Sequence, residues 1–455
     1  MNPVRDKTLE MSADSPASRV SNGMKKAYFI GIGGIGMSAL AQYFKDQGMT
    51  VTGSDRDPSP KVYEVLATKE IEVLVGHNAS NVPTDADLVV YSDAVVDGSE
   101  GFVERLRARE LGIKEESYFA ALGEVSKGKK TVAVAGTHGK TTTTGMLAKI
   151  LSDAGASPTA IVGSIVKDFG SNYLHGDSDL FVVEACEYKD HLLELSPEIL
   201  VITNLEWDHT DWFPSLEVLQ ETFRKAISRV PANGAIVTDP ANPNIAPLLV
   251  NAKAQVIDYT KEPAYELRLP GEFNQMNARA AAAAARVAFS QIENTTIYGS
   301  ISNFQGTWRR FEYKGKTKNG ADVYDDYAHH PTAVRETLRA LRAKTDGKIY
   351  VAFHPHLYSR TRDLLDEFAT AFVDADKVFI APIYAAREVD DGTISSAILA
   401  ERIRATGVDA TALDSFGAIE KALNEVEQGD TIITMGAGDI YKVADNITKP
   451  IILAN

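Results

Sequence analysis

The segment Gly136-Thr137-His138-Gly139-Lys140-Thr141-Thr142-Thr143 directly follows the apolar run TVAVA. In such a turn backbone amides cradle phosphates, the lysine offers a point charge to the outer phosphates, and the Thr141 or Thr142 hydroxyl can ligate Mg2+. A full phosphate loop has glycine where this chain has Val134, so the loop is a shortened variant, and a glycine turn with an incidental lysine is the competing reading. Such a metal needs a carboxylate. Glu184-Ala-Cys186-Glu187 ends the strand-like run DLFVVEA (179–185), where carboxylates of open α/β sheets face the ligand crevice, although Glu187 also reads as a solvated acid at a helix start. The next such run ends in Asn204-Leu-Glu-Trp-Asp208-His209, a polar cluster at the same sheet edge. His209 is either a ligand beside a carboxylate or a satisfied loop histidine.

A second glycine turn lies earlier. Gly31-x-Gly33-Gly34-Ile35-Gly36 follows an expected strand and opens an expected helix, with Asp55 19 residues after Gly36. These features suit the pyrophosphate of a dinucleotide or a nucleotide sugar, since glycines let amides approach phosphate and a helix N-terminus favours anions. A closely packed turn is the alternative. His77, in VGHNAS, reads as a loop histidine.

Three further clusters remain open. Asn274 and Asn277, one helical turn apart in LPGEFNQMNARAA, could pair with an adenine edge or cap local backbone. Arg309 and Arg310 in GTWRRFE could neutralise a triphosphate or form a surface pair. Asp325-Asp326-Tyr327-Ala328-His329-His330-Pro331 could contact ribose or phosphate, hold a metal, or be a polar turn ended by proline.

Elements that alternate strand and helix must position these groups. The 455 residues give a prior of three domains at about 150 residues each. With 44% hydrophobic and 24% charged residues the chain has material for several buried cores, not for a disordered or disulfide-stapled protein. The formal charge of −15 (47 Lys and Arg against 62 Asp and Glu) has the wrong sign for general nucleic-acid binding. One cysteine, Cys186, excludes an intrachain disulfide and fits a reducing compartment. No run approaches about 18 apolar residues, and the polar first 23 residues lack a secretion-signal block, so a cytoplasmic protein without membrane contact is expected. We expect a leader over 1–23 that is disordered, then α/β units over 24–122, 123–305 and 306–455. Their strands include Leu88–Tyr91, EILVITN (198–204), KIYVAF (348–353) and DTIITMG (430–436).

Taken in order, GTHGKTTT, EACE, NLEWDH, PGEFNQMN, GTWRRFE, DDYAHHP and MGAGDI resemble the Mur ligase family of ATP-dependent amino-acid ligases, from about residue 25 to 445. The resemblance implies a three-domain α/β architecture: an N-terminal Rossmann-like sheet for a UDP-sugar, a central phosphate-loop ATPase sheet, and a C-terminal Rossmann-like domain that closes over ATP and presents the amino acid. It implies UDP-sugar contacts from Gly33, Gly34, Ile35, Gly36, Asp55, His77 and Ser92. ATP contacts would come from Gly136 to Thr142, Asn274, Asn277, Arg309, Arg310 and Asp326, and Mg2+ ligands would be Thr141, Glu184 and His209. Catalysis would rest on Lys140, Glu184 and His209 or His329, with His356 and Arg360 beside the amino-acid carboxylate.

GIGGIGMS, EACEYKDHLL, FQGTWRRFE and HPHLYSRTRDL are in the style of the member that joins L-alanine to UDP-N-acetylmuramate in peptidoglycan assembly. The sibling that recycles a tripeptide onto the same nucleotide sugar is nearest to it. Two departures bear on this. Phe223 stands where many siblings carry a carbamylated lysine, as in the first-step and recycling members, and Leu357 follows His356 where many first-step members have arginine. Phe273 also replaces a motif histidine. The expected reaction runs through an acyl phosphate in a monomer or homodimer, with the third domain rotating inward on ATP binding. A nicotinamide oxidoreductase would leave GTHGKTTT and EACE without a role, and a non-catalytic nucleotide-binding module would release no ADP.

Overall fold

The computed structural model describes residues 23–386 and 388–448; apart from Gly23, the expected leader lies outside them. The chain divides into two compact units between Lys130 and Thr131.

The first unit is a parallel sheet of β1 (Lys26–Ile30), β2 (Thr50–Asp55), β3 (Glu72–Val75), β4 (Leu88–Tyr91) and β5 (Lys114–Ser117), in the order β3-β2-β1-β4-β5. The chain fills one side of β1 and then returns to the other, which opens a crevice at the carboxyl ends of β1 and β4. Tyr28, Ile30, Val89 and Ala108 lie in its core. The first domain boundary, expected between 122 and 123, falls inside the helix Tyr118–Ser126. Ala121, Leu122 and Val125 of that helix are buried, so the helix belongs to this unit.

The second unit holds two sheets, and the boundary expected at 305/306 lies within it. The central sheet comprises β6 (Lys130–Ala135), β7 (Thr159–Val166), β8 (Ser171–Leu174), β9 (Leu180–Glu184), β10 (Ile199–Ile202), β11 (Ala235–Thr238) and β12 (Gln255–Asp258), ordered β12-β11-β10-β6-β9-β7-β8. β10–β11, β10–β6, β11–β12 and β7–β9 pair in parallel, and β8 runs antiparallel to β7. All four residues of both β10 and β11 are buried, as strands covered on both faces require. Ala278 and Ala280 to Ala285 of the helix Glu272–Ala288 share one buried cluster with Met146, Leu147, Ile150 and Leu151 of the helix Lys140–Asp153. Methyl side chains let the two backbones approach closely, and alanine carries the highest helix propensity.

The third sheet is β13 (Glu312–Lys316), β14 (Asp322–Asp326), β15 (Ile349–Phe353), β16 (Lys377–Ile380), β17 (Asp409–Ala412) and β18 (Thr431–Met435), ordered β13-β14-β18-β15-β16-β17 with β13 antiparallel. β6, β9 and β14 end at Ala135, Glu184 and Asp326, so their carboxyl edges lead into GTHGKTTT, EACE and DDYAHHP.

Candidate active site

In the first unit Gly31 has φ 83°, a left-handed value that glycine adopts without strain. A side chain at Gly31 would meet Ser92, one at Gly33 would meet Asp55 and Pro58, and one at Gly36 would collide with the Tyr118 ring. Asp55 Oδ2 accepts the Gly33 N–H at 2.9 Å, so the carboxylate at the end of β2 fixes the turn. The helix Ile35–Asp46 starts from Gly34 with no side-chain cap. Gly33, Gly34, Ile35, Gly36, Asp55 and Ser92 therefore meet at one sheet edge, at the N-terminus of a helix. That arrangement suits a phosphate group.

His77 departs from its expected role. Its ring is nearly buried, with Nδ1 3.1 Å from Ser54 Oγ and 3.3 Å from Glu104 Oε2. Glu104, fully buried, also accepts from Asn78 N and Asn81 Nδ2. Through Nδ1, His77 thus joins a polar cluster around a buried acid.

In the second unit the phosphate loop is built from two forced glycines. Gly136 (φ 124°) lies against Thr203, and a Cβ at Gly139 (φ 81°) would come 2.1 Å from Asn277 Oδ1. Gly139→Ala combines that collision with a left-handed strain of about 1–2 kcal/mol. We expect a lower melting temperature and lost ATP binding, read by thermal unfolding and nucleotide titration.

Lys140 opens the helix Lys140–Asp153, and its ammonium folds onto the loop. It donates to Gly136 O, to Thr137 O at 3.2 Å and to Glu187 Oε1 at 3.0 Å. Burial opposes the charge, but Glu187, Cys186 and Glu184 outweigh it and hold the Lys140 pKa above its ordinary value. Glu187 is likewise buried, which favours its neutral form, yet Lys140 and His209 keep its pKa low. Glu187 is therefore a buried ion-pair partner and not the solvated acid weighed above.

Thr141, rather than Thr142, brings its hydroxyl to Glu184 Oε1 at 2.9 Å. The other Glu184 oxygen takes the Gly163 N–H at 2.6 Å, and only glycine fits there. His209, held at φ 53°, places Nε2 3.6 Å from Glu187 Oε1. Among the described residues, His209 Nδ1 and Glu187 Oε2 are buried without a hydrogen-bond partner. A hydroxyl, carboxylates and an imidazole with unused electron pairs beside a phosphate loop are a donor set that fits a hard divalent cation.

The C-terminal sheet reaches the same region. Arg310 Nη2 donates to Thr141 Oγ1 at 3.2 Å. Arg309 does not: it is buried, with Nε on Asp325 at 3.0 Å, Nη1 on Gly438 O at 2.9 Å and Nη2 on Gly436 O at 2.6 Å. It locks β14 to the loop after β18, and Arg310 is the member of the pair that reaches the phosphate loop. Asp326 accepts from Phe311 N at 2.6 Å and Ala328 N at 2.7 Å, and burial pushes its pKa up to about 6. Asn277 packs on the phosphate loop, and Asn274 is engaged with Pro270 O at 2.7 Å and Asn277 Nδ2 at 3.2 Å. Asp326 and Asn274 thus hold backbone groups, while Asn277 accepts from Thr143 Oγ1 at 3.3 Å and donates to Asn274 Oδ1.

Arg360 is also committed. Its Nε and Nη2 lie 2.8 Å from Asp208 Oδ1, and Nη1 is 3.0 Å from His356 Nδ1. The expected carboxylate-binding arginine is therefore a buried tie between the helix Tyr358–Asp363 and the loop after β10. His329 sits nearby, with Nδ1 2.9 Å from Tyr327 O. Burial, then Arg360, drives its pKa well below the usual histidine value, so the ring is neutral at pH 7. Asp208 and Glu206 are site residues that sequence reasoning left unassigned, although both stand in the NLEWDH cluster.

Three family models match the chain. The Mur ligase family, catalytic domain covers residues 26–130, the Mur ligase middle domain 134–265, and the Mur ligase, glutamate ligase domain 309–438. A UDP-N-acetylmuramate–L-alanine ligase of Acetivibrio thermocellus is 39% identical, covering 94% of this chain and 96% of its own. The solved UDP-N-acetylmuramate-alanine ligase of Thermotoga maritima superposes with a TM-score of 0.75 at 27% identity, covering 93% of this chain and 98% of that one. A murein peptide ligase of Psychrobacter arcticus, at 24% identity and TM-score 0.71, shares the fold over 93% of this chain and 98% of its own.

Proposed function

The chain belongs to the Mur ligase family and is an ATP-dependent ligase of peptidoglycan synthesis, and from that premise we propose that it joins L-alanine to the lactyl carboxylate of UDP-N-acetylmuramate. ADP and phosphate are the other products. One observation carries this reading: Lys140, Thr141, Glu184 and Arg310 converge at one phosphate loop.

The sugar nucleotide binds at the first glycine turn, through Gly33, Gly34, Ile35, Gly36, Asp55 and Ser92. ATP occupies the loop Gly136–Thr142. There Lys140 exchanges its contacts with Gly136 O and Thr137 O for phosphate oxygens, and Arg310 adds a second cation. Thr141, Glu184 and His209 would hold Mg2+, with Glu187 behind them. When bound, that ion neutralises developing charge on the phosphoryl oxygens. The lactyl carboxylate attacks the γ-phosphoryl in line, giving an acyl phosphate and ADP. The amine of L-alanine then attacks the acyl carbon and expels phosphate, leaving an amide. Its proton goes to a neutral imidazole. Nδ1–H of His329 donates to the Tyr327 carbonyl, which leaves Nε2 as the acceptor. His209 is the other candidate. His356, beside Arg360, is the polar group we assign to the amino acid.

Among the described residues no helix is long and apolar enough to cross a membrane. We place the reaction in the cytoplasm, where ATP is available. The test is phosphate release with UDP-N-acetylmuramate, ATP and Mg2+ against a panel of amino acids and the L-Ala-γ-D-Glu-diaminopimelate tripeptide. Release triggered by L-alanine and not by the tripeptide is expected. Release with the tripeptide alone would make the chain a recycling ligase.

A further inference from the structure

Among the described residues, one cluster of metal-ligating side chains lies outside the Thr141, Glu184 and His209 set. His138 Nε2 is 3.3 Å from Glu206 Oε2, and His330 Nδ1 is 3.7 Å from the same oxygen. The three donor atoms lie within 4.8 Å of one another. Three different segments supply them: the phosphate loop, the loop after β10, and the N-cap of the helix Pro331–Arg342.

The tautomer of His330 is fixed by its neighbours. Its Nε2 faces the Trp207 carbonyl at 3.2 Å, which can only accept, so the proton is on Nε2. Nδ1 then carries a lone pair. It takes a long contact from Thr332 N–H at 3.3 Å and otherwise faces the Glu206 carboxylate, itself an acceptor. Two electron-pair donors therefore face each other, and His138 with its proton on Nδ1 adds a third through Nε2. Outer contacts aim them: Thr332 Oγ1 donates to Glu206 Oε2 at 2.7 Å, and an imidazole whose second nitrogen donates to a backbone carbonyl is the usual arrangement of a metal-ligating histidine. For metal–ligand bonds of about 2.0–2.1 Å, tetrahedral geometry separates ligand atoms by about 3.3–3.4 Å. The two spacings to Glu206 bracket that closely. Nitrogen ligands and four-coordinate spacing disfavour Mg2+, which demands an octahedral oxygen shell.

We propose that His138, Glu206 and His330 bind a first-row transition-metal dication of the Zn2+ class, in a three-ligand site with its fourth position open to water. Bound there, the ion joins the phosphate loop to the helix Pro331–Arg342 and the loop after β10. The inference does not rest on the identity of the amino acid joined.

The test is a titration of the chelator-treated full chain with Co2+ under excess Mg2+, following visible d–d absorption, then displacement by Zn2+. We expect saturation at about one equivalent per chain with intense tetrahedral bands, and a melting temperature that rises with metal concentration. Glu206→Gln and His330→Gln, on separate elements, should each weaken binding at least about tenfold, whereas Glu184→Gln keeps it. Far-UV circular dichroism shows that each variant is folded, and either folded variant alone decides the matter. Absence of saturable absorption, equal titrations of the parent and a folded variant, or a loss confined to Glu184→Gln would overturn the proposal.

Discussion

Lys140→Met is expected to slow phosphate release by at least about 10²–10³-fold, the scale on which removal of one preorganised charge-stabilising donor acts. The same change strands Glu187. That carboxylate is buried, and its Oε1 pairs with Lys140 at 3.0 Å while its Oε2 has no hydrogen-bond partner among the described residues. Removal of one member of a buried ion pair costs about 3 kcal/mol or more, unless the survivor is neutralised. Lys140→Met should therefore unfold at lower denaturant than the parent. Adding Glu187→Gln to it should recover stability without recovering activity, because the phosphoryl group still lacks its cation. UDP-sugar binding to the first unit should survive both changes. Stability of Lys140→Met equal to the parent would show that the Lys140–Glu187 pair does not hold the loop.

The second large effect is expected at Asp208. Its carboxylate holds both Nε and Nη2 of Arg360, a residue 2% exposed, across two sheets of the second unit. Asp208→Asn leaves the guanidinium buried and unpaired, at a cost of about 3–5 kcal/mol. Burial pushes the Asp208 pKa up, but Arg360 and the nearby histidines outweigh it and hold it well below the usual carboxylate value. The folded pKa is thus depressed. The stabilisation is fully present above the unfolded carboxylate pKa of about 3.9 and is lost as pH falls toward the folded value. Denaturant unfolding of parent and Asp208→Asn from pH 7 downward should show a gap that narrows below about pH 4. A gap independent of pH would place the effect in packing instead of charge.

Much of the fold is readable from residue pattern because its central strands are continuous apolar runs. β10 and β18 are buried throughout, and their sequences ILVI and TIITM say as much. The strands that pattern misses lie mostly at sheet edges. β5 reads KEES and β17 reads DATA, both borne on one paired neighbour where charge protects an open edge. β7 is interior, but Gly163, kept small for the Glu184 carboxylate, interrupts its run. The split after Lys130 lies beyond the boundary expected at 122/123 for a similar reason. GEVSKGKK looks like a linker, yet Gly123 to Ser126 end a helix whose apolar face is buried.

At the site, residue type and spacing identify which segments meet, and less well which atoms face a ligand. Gly136, Gly139, Lys140 and Thr141 lie in one turn, so strand, loop and helix order suffices to place them, and Glu184 joins them because β9 ends at the same sheet edge. Arg309 and Arg310 are adjacent and alike in sequence. Only the partners brought by β14 and the loop after β18 separate a buried pin from a cation aimed at Thr141. Arg360 and His77 mislead in the same way, since Asp208 and Glu104 lie 152 and 27 residues away from them in sequence. The cluster of His138, Glu206 and His330 depends on two such long-range approaches.

The most direct measurement of the proposed reaction follows one oxygen. UDP-N-acetylmuramate carrying ¹⁸O in its lactyl carboxylate is turned over with ATP, Mg2+ and L-alanine, and the released phosphate is analysed by mass. Attack of the carboxylate on the γ-phosphoryl, followed by amine displacement at the acyl carbon, carries one labelled oxygen into each phosphate and leaves the other in the amide carbonyl. Phosphate free of label, with amide product formed, would contradict activation of the acid by the phosphate loop.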